Sequence, residues 1–354
     1  MQDKERSKVH AKNRHSPVNS VVRVGPMMSI PAVLRELGSE PGPVFPSAGF
    51  KLTQFADPDT EVSCLAASRL LARCVAATGC QYFGLLVGKS AGPSSLGIAG
   101  FMLRSAPDVG AALRGLVQHL DLHDQGGVPT LLIKGNVTRL GYAIQQTGAE
   151  AAGQIYDLAM SVACNIMRGL CGESWNPAEV LLSRRRPQEL APYSNFFRAP
   201  LRFNTVQSAV VFPARWLNHQ IPSADPLLHH HLEREAGELH SRRDNNIVGQ
   251  LRGSLRKSLL SRKCTLSDIA GQLCMHERTL HRRLREQGTS FSHELEDVRN
   301  GMAQQLLAES TMPIAKIAKA LNYADVSAFS RAFKRWTEIT PAQWRARNDS
   351  SQQA

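Results

Sequence analysis

A pattern of about two dozen residues occurs twice near the C-terminal end of this 354-residue chain. The first copy, TLSDIAGQLCMHERTLHRRLREQG, runs from Thr265 to Gly288; the second, MPIAKIAKALNYADVSAFSRAFKRW, from Met312 to Trp336. Ile269-Ala270 aligns with Ile317-Ala318, Leu273 with Leu321, and Leu280 and Leu284 with Phe329 and Phe333, with one residue of difference in the turn. A short helix, a tight turn and a second helix, repeated 48 residues apart, describe a pair of helix-turn-helix units.

Helical geometry sharpens that reading. With Leu280 at zero and about 100° per residue, Leu284 lies within about 40°, while Arg278, Arg282 and Arg285 fall at roughly 160°, 200° and 140°. Grease faces one way and guanidinium the other. In the second copy Phe329, Phe333 and Trp336 share one face, opposite Ser327, Arg331 and Lys334. Helix-end signals agree: Thr265 with Asp268 resembles a capping box, Pro313 suits a first turn, and Asp325 is a natural N-cap. Thr340-Pro341 opens a last short helix, and Leu295, Val298, Met302 and Leu306 recur with helical spacing between the units. A bundle of helices with solvated arginines shares the charged faces but not the duplicated turns and caps.

Charge points the same way. Formal net charge is +12, and residues 245–354 carry 17 basic against 10 acidic side chains, whereas residues 25–244 carry 19 against 18. A near-neutral body with a cationic C-terminal end calls for a polyanion partner. Residues 1–24, with 6 basic and 2 acidic groups, read as a disordered basic tail. The seven cysteines are odd in number and hold no C-x-x-C pair, which suits reduced thiols in a cytoplasm. The N-terminus has no apolar signal region, and the greasiest stretch, Cys74–Gly88, is too short to span a bilayer, so neither secretion nor a membrane partner is expected.

Residues 25–225 read as a mixed α+β sensing domain. Expected helices cover Glu61–Ala77, Ser94–Ser105, Asp108–Leu120 and Ala151–Leu170. Thr130–Lys134 and Arg139–Gln145 form a hairpin about Gly135-Asn136, and Val180–Ser183 and Ala209–Phe212 are further strands. The segment around Pro41, Gly42, Pro43 and Pro46 reads as a loop. Residues 226–249 read as a linker, with helix resuming near His231, and 250–348 as an all-α DNA-binding domain whose two units are joined by a central helix.

The segments TLHRRLREQGTSF and IAKALNYADVSAFSRAFKRWTEITPAQWR resemble the readers of the arabinose-operon regulator family, the AraC/XylS type, over about residues 250–347. GLLVGKSAGPSSLGIAGFMLRSAPDVGAALRGL is similar to the large arabinose-binding-like effector domain of one subgroup, rather than to the cupin barrel of the arabinose sensor. The resemblance implies that one monomer sets both second helices into successive major grooves of promoter DNA, about 34 Å apart. Carried over residue by residue, base reading falls on Arg278, His281 and Arg282, and on Ser327, Ala328 and Arg331. Arg285, Lys334 and Arg335 are assigned to phosphates. It also implies a small, partly apolar effector whose contacts the sequence does not name, a homodimer, and contact with RNA polymerase in activating a nearby operon.

Other chemistry is weaker. Gly84–Ser90, GLLVGKS, is one residue short of a phosphate-binding loop and reads as a packed turn. His229, His230 and His231 point about 100° apart and cannot close one metal shell, so they read as solvated linker. Arg184, Arg185 and Arg186 read as a solvated cluster, with an effector carboxylate as the alternative. Cys164 and Cys171 share a helix face as buried thiols, with a redox switch as the alternative. No catalytic motif, metal set or cofactor fingerprint is found. Competing classes are a DNA-repair enzyme fused to this module, which would need a reactive Pro-Cys-His-Arg setting absent here, and a nonspecific architectural binder, which would lack the large neutral domain.

Overall fold

A computed structural model describes residues 20–145, 148–243, 247–261 and 264–353. The expected tail at residues 1–19 lies outside them, but its end does not read as expected. Ser20 and Val24 are buried, and β1 (Val21–Arg23) pairs antiparallel with β2 (Glu61–Ser63).

The first layer is helical. α1 (Ile30–Glu36), α2 (Pro41–Ser47), α3 (Cys64–Thr78) and α4 (Phe83–Lys89) enclose a core that includes Leu34, Phe45, Leu70 and Phe83. The proline-rich stretch expected as a loop is therefore a helix. Pro41 takes the first helical position, where a missing N–H costs nothing, and Val44 and Phe45 anchor it in the core. The expected helix from Glu61 begins instead at Cys64, because Glu61–Ser63 are spent as β2. GLLVGKS is helix α4 rather than a turn: Gly84 and Gly88 let it lie against α7 (Ala152–Cys171), where an added Cβ would stand 2.1 Å from the Gln154 carbonyl and 2.7 Å from that of Leu158.

A 3-10 turn (Pro93–Leu96) precedes α5 (Ile98–Ser105), splitting the helix expected over Ser94–Ser105 at Gly97; α6 (Val109–His119) follows, capped by Asp108. The five-stranded sheet has the order β3-β4-β7-β5-β6, from β3 (Gly127–Lys134), β4 (Val137–Ile144), β5 (Glu179–Leu181), β6 (Leu201–Arg202) and β7 (Ser208–Pro213), with only β5–β6 parallel. The hairpin forms with Lys134 opposite Val137 and Gly135 at φ 58°. The short helix α8 (Ala191–Phe197) follows β5 in the chain and buries Tyr193 and Phe197 in the helix–sheet core, which also includes Leu113, Met167 and Phe212.

The expected linker is mostly helix. α9 (Pro226–Arg243) starts five residues before His231, because Asp225 accepts the Leu227 and Leu228 N–H groups and Pro226 opens the first turn. It packs on α5 through Ala236 against Met102 and Leu122. His230 and His231 keep little cover, but His229 Nδ1 lies 3.1 Å from Ser105 Oγ.

The C-terminal part is all helix: α10 (Ile247–Ser261), α11 (Leu266–Gln272), α12 (Glu277–Glu286), α13 (Phe291–Glu309), α14 (Ile314–Ala320), α15 (Val326–Thr337) and α16 (Pro341–Gln353). Leu251, Leu255 and Leu259 of α10, Leu280, Leu284, Met302, Leu306, Phe329 and Phe333 share one core. This is the expected class, an α+β domain followed by two helix-turn-helix units around a central helix.

Candidate functional site

The two units match in backbone as well as in sequence. Leu273 ends α11 at φ −88°, ψ 8°, and Leu321 ends α14 at φ −88°, ψ 11°. The next residues, Cys274 at φ 51° and Asn322 at φ 59°, both turn left-handed. Met275 N–H then returns to the Ala270 carbonyl at 2.9 Å, as Tyr323 N–H does to Ala318 at 3.0 Å. The turns then diverge by one residue before each second helix. Thr265 and Asp268 close the expected capping box, Asp325 accepts the Ala328 N–H at 2.6 Å, and Pro313 is the capping residue of α14 rather than part of its first turn.

Each second helix hides its apolar stripe completely: Leu280, Leu284, Phe329 and Phe333 are 0% exposed. Arg278, His281, Arg282 and Arg285 on α12 are exposed, as are Ser327, Arg331, Lys334 and Arg335 on α15, while Ala328 is half-buried. Two of these cations have neighbours. Arg282 Nε lies 3.8 Å from Glu286, and Arg335 donates to Glu296 of α13 at 2.8 Å. That pair, with Trp336 Nε1 3.4 Å from Glu296 and Arg299 stacked 5.0 Å over Tyr323, fastens the second unit to the central helix. Sequence reasoning passed over Val326, 40% exposed at the first position of α15, where its methyl groups could meet a thymine.

A cavity of about 140 Å³ lies in the first domain between α3, α6, α7 and the β3–β4 hairpin. Its walls are mostly aliphatic, with a polar end at Arg23, His123, Asp124 and Tyr142. Tyr142 donates to Asp124 Oδ2 at 2.5 Å, and the Gly126 N–H fills Oδ1 at 2.8 Å. Burial pushes the Asp124 carboxyl upward, and the Cys64 thiol beside it well upward. His123 is 5% exposed and neither ring nitrogen has a partner among the described residues. Burial, with the Arg23 charge, lowers its pKa to about 4. None of these groups stands in a recognisable motif. Arg23 falls where a tail was expected, and His123-Asp124 fall between two elements.

The N-terminal half of α7 also meets the helical domain. Gln305 of α13 donates to the Tyr156 hydroxyl at 2.8 Å, and Glu309 lies against Gly153. Arg256 of α10, 2% exposed, donates to the Gln145 carbonyl at 2.8 Å and leaves Nε and one terminal nitrogen unbonded; burial brings its pKa down to about 10. The expected solvated arginine cluster is corrected here. Arg184 is bound to Asp157, to the Tyr193 hydroxyl at 2.9 Å and to the Gln81 carbonyl, while Arg185 reaches Asp349 and the Ala308 carbonyl. Only Arg186 is exposed. Burial raises Asp157 to about 6 against the pull of Arg184 and Tyr193. Arg184 is thus already filled by a carboxylate of the chain itself. Cys164 is buried and Cys171 half-buried, and all seven cysteines are free.

Two helix-turn-helix units with matched turns, sharing one core with a central helix and joined to a domain with a ligand-sized cavity, define a DNA-binding regulator of transcription. Residues 38–221 match the model of the arabinose-binding domain of AraC transcription regulators, N-terminal, and residues 269–347 match a helix-turn-helix domain. The chain belongs to the AraC family of transcription regulators. It is 26% identical over 332 residues to the HTH-type transcriptional regulator VirS of Mycobacterium tuberculosis, covering 93% of this chain and 97% of that one. It is 26% identical over 344 residues to the ornithine utilization regulator of Pseudomonas aeruginosa, covering 93% and 98%. The solved transcriptional regulator CdpR from Pseudomonas aeruginosa aligns over 91% of this chain and 98% of its own at a TM-score of 0.46 and 21% identity. No single helix among the described residues is long and apolar enough to cross a membrane.

Proposed function

We propose that this regulator reads two successive major grooves of a promoter in response to a small effector held in the first domain, and that it acts by binding rather than catalysis. Arg278, His281, Arg282, Ser327, Ala328 and Arg331 read bases. Arg285 and Lys334 hold phosphates, and Arg335 does so by exchanging Glu296 for the backbone. The division into a sensor over 25–225, a connector over 226–249 and a reader over 250–348 follows the same logic. A cytoplasmic homodimer that touches RNA polymerase at a nearby operon completes the reading. The observation that carries it is the burial of both apolar stripes, which obliges the cationic faces of α12 and α15 to point away from the core. The cavity and the buried contacts of α7 with α13 support effector control.

Footprinting and anisotropy titrations on upstream DNA test it. Arg282→Ala and Arg331→Ala are each expected to cost about 1–3 kcal/mol on the operator, at one base position, and far less on random DNA. Affinity for both DNAs falls steeply with salt. Equal losses on operator and random duplex would remove the base-reading assignment.

A further inference from the structure

We propose that the cavity of the first domain receives a small monocarboxylic acid with a compact apolar body, its carboxylate bound by Arg23 and His123. The proposal deepens the effector reading above and rests on it.

Size sets the first limit. About 140 Å³ is close to the roughly 150 Å³ apolar cavity known to take up benzene, so the ligand body has the scale of one aromatic ring or a chain of about six carbons. The walls set the second. Leu71, Leu116, Leu140, Met160 and Ile166 offer no hydrogen bonds, so a sugar, with a hydroxyl on nearly every carbon, would lose its water without replacement. An apolar body loses nothing there.

The head group follows from what is left unpaired. Asp124 and Tyr142 satisfy each other and need no ligand. His123 and Arg23 do not. Both ring nitrogens of His123 and the Nε of Arg23 are buried without a hydrogen-bond partner among the described residues. The two residues are neighbours, since the Arg23 N–H donates to the His123 carbonyl at 3.0 Å. Arg23 is steered from its other side: one terminal nitrogen donates to Asp59 at 2.7 Å, while Glu61 stands 3.8 Å from Nε, beyond hydrogen-bond reach. The end of the cavity therefore presents one guanidinium N–H, with Glu61 beside it at 3.8 Å, and one imidazole N–H, neither with a hydrogen-bond acceptor among the described residues. A carboxylate accepts from both and meets the cation; an alcohol or an ester accepts more weakly and carries no charge.

The full chain is titrated calorimetrically with acetate, butanoate, hexanoate, octanoate and benzoate, and with benzyl alcohol, methyl benzoate and L-arabinose. Saturable binding of one molecule per chain is expected for hexanoate and benzoate, with affinity rising about fourfold per methylene from acetate until the cavity is full. Benzyl alcohol and methyl benzoate bind at least tenfold more weakly, and arabinose does not bind. His123→Phe reduces benzoate affinity at least tenfold while leaving benzyl alcohol affinity within about twofold. Ala159→Leu, which fills the cavity from α7, abolishes both, with melting temperature and helicity recorded to show that each variant folds. The proposal is overturned if no carboxylate of the series binds, if the neutral analogues bind as tightly as benzoate, if arabinose binds, or if His123→Phe weakens acid and alcohol alike. Operator affinity is measured separately. Binding of benzoate without any change at the operator keeps this ligand assignment and removes effector control. An operator response to some other metabolite, with no acid bound, does the reverse.

Discussion

Cys274 and Asn322 occupy the same place in the two turns, and the chain needs a left-handed residue there each time. Asparagine tolerates that conformation; a cysteine side chain crowds its own carbonyl, at about 1–2 kcal/mol. Glycine would relieve the crowding and lose part of the gain to unfolded-chain entropy. Cys274→Gly is therefore expected to stabilise the helical domain by about 0.5–1 kcal/mol, read as a higher urea midpoint for that domain's transition; a lower midpoint would refute the strain argument. Residues of this kind mark what the sequence does and does not disclose. Leu280, Leu284, Phe329 and Phe333 were legible because helical spacing alone fixes their common face. His123, Arg23 and Arg256 were not, because a lone polar residue in a segment without periodicity gives no sign that the fold will bury it. The solvated reading holds for Arg186 and fails for Arg184 for a related reason: its partners Asp157 and Tyr193 lie 27 and 9 residues away and meet it only in the folded chain.

At the scale of elements, termini decide most outcomes. The helices whose caps were readable, at Thr265 and Asp325, stand where they were expected. The Asp225-Pro226 start of α9 carried an equally good signal that the neighbouring polar histidines obscured. Pro41–Ser47 defied its composition because tertiary burial of Val44 and Phe45 outweighs the cost of a proline inside so short a helix. The cap of α15 bears on the proposed base reading, since Ser327 and Ala328 lie in the turn it holds. Asp325→Ala should cost about 1 kcal/mol in stability. Faster amide exchange is expected at Ala328, which loses its acceptor, together with a drop in operator affinity. Unchanged exchange there would mean that the first turn is held by packing alone.

At the scale of the molecule, buried ionisable groups tie folding to pH. His123 has a folded pKa of about 4 against 6.5 when unfolded, and burial lowers His119 as well, where it meets His240 of α9 at 3.0 Å with Asp121 beside it. For a depressed histidine the stabilisation is whole above 6.5 and is lost as pH falls, levelling off near 4; for His123 alone the loss is roughly 3 kcal/mol. Asp157, raised to about 6, acts in the opposite sense over part of that range, so the comparison must be between proteins. The stability of the native chain minus that of His123→Phe should decline between pH 6.5 and 4; a flat difference would show that His123 is not held neutral. The twenty residues of α7 include Ile155, Leu158, Ala159 and Met160, which line the cavity, and Gly153 and Tyr156, which meet α13. Receptor and reader thus share a wall instead of meeting at a hinge. Under the proposed effector control, a substitution where that wall meets α13 would retune how strongly occupancy of the first domain is felt by the second, with the chemistry of neither small molecule nor promoter altered.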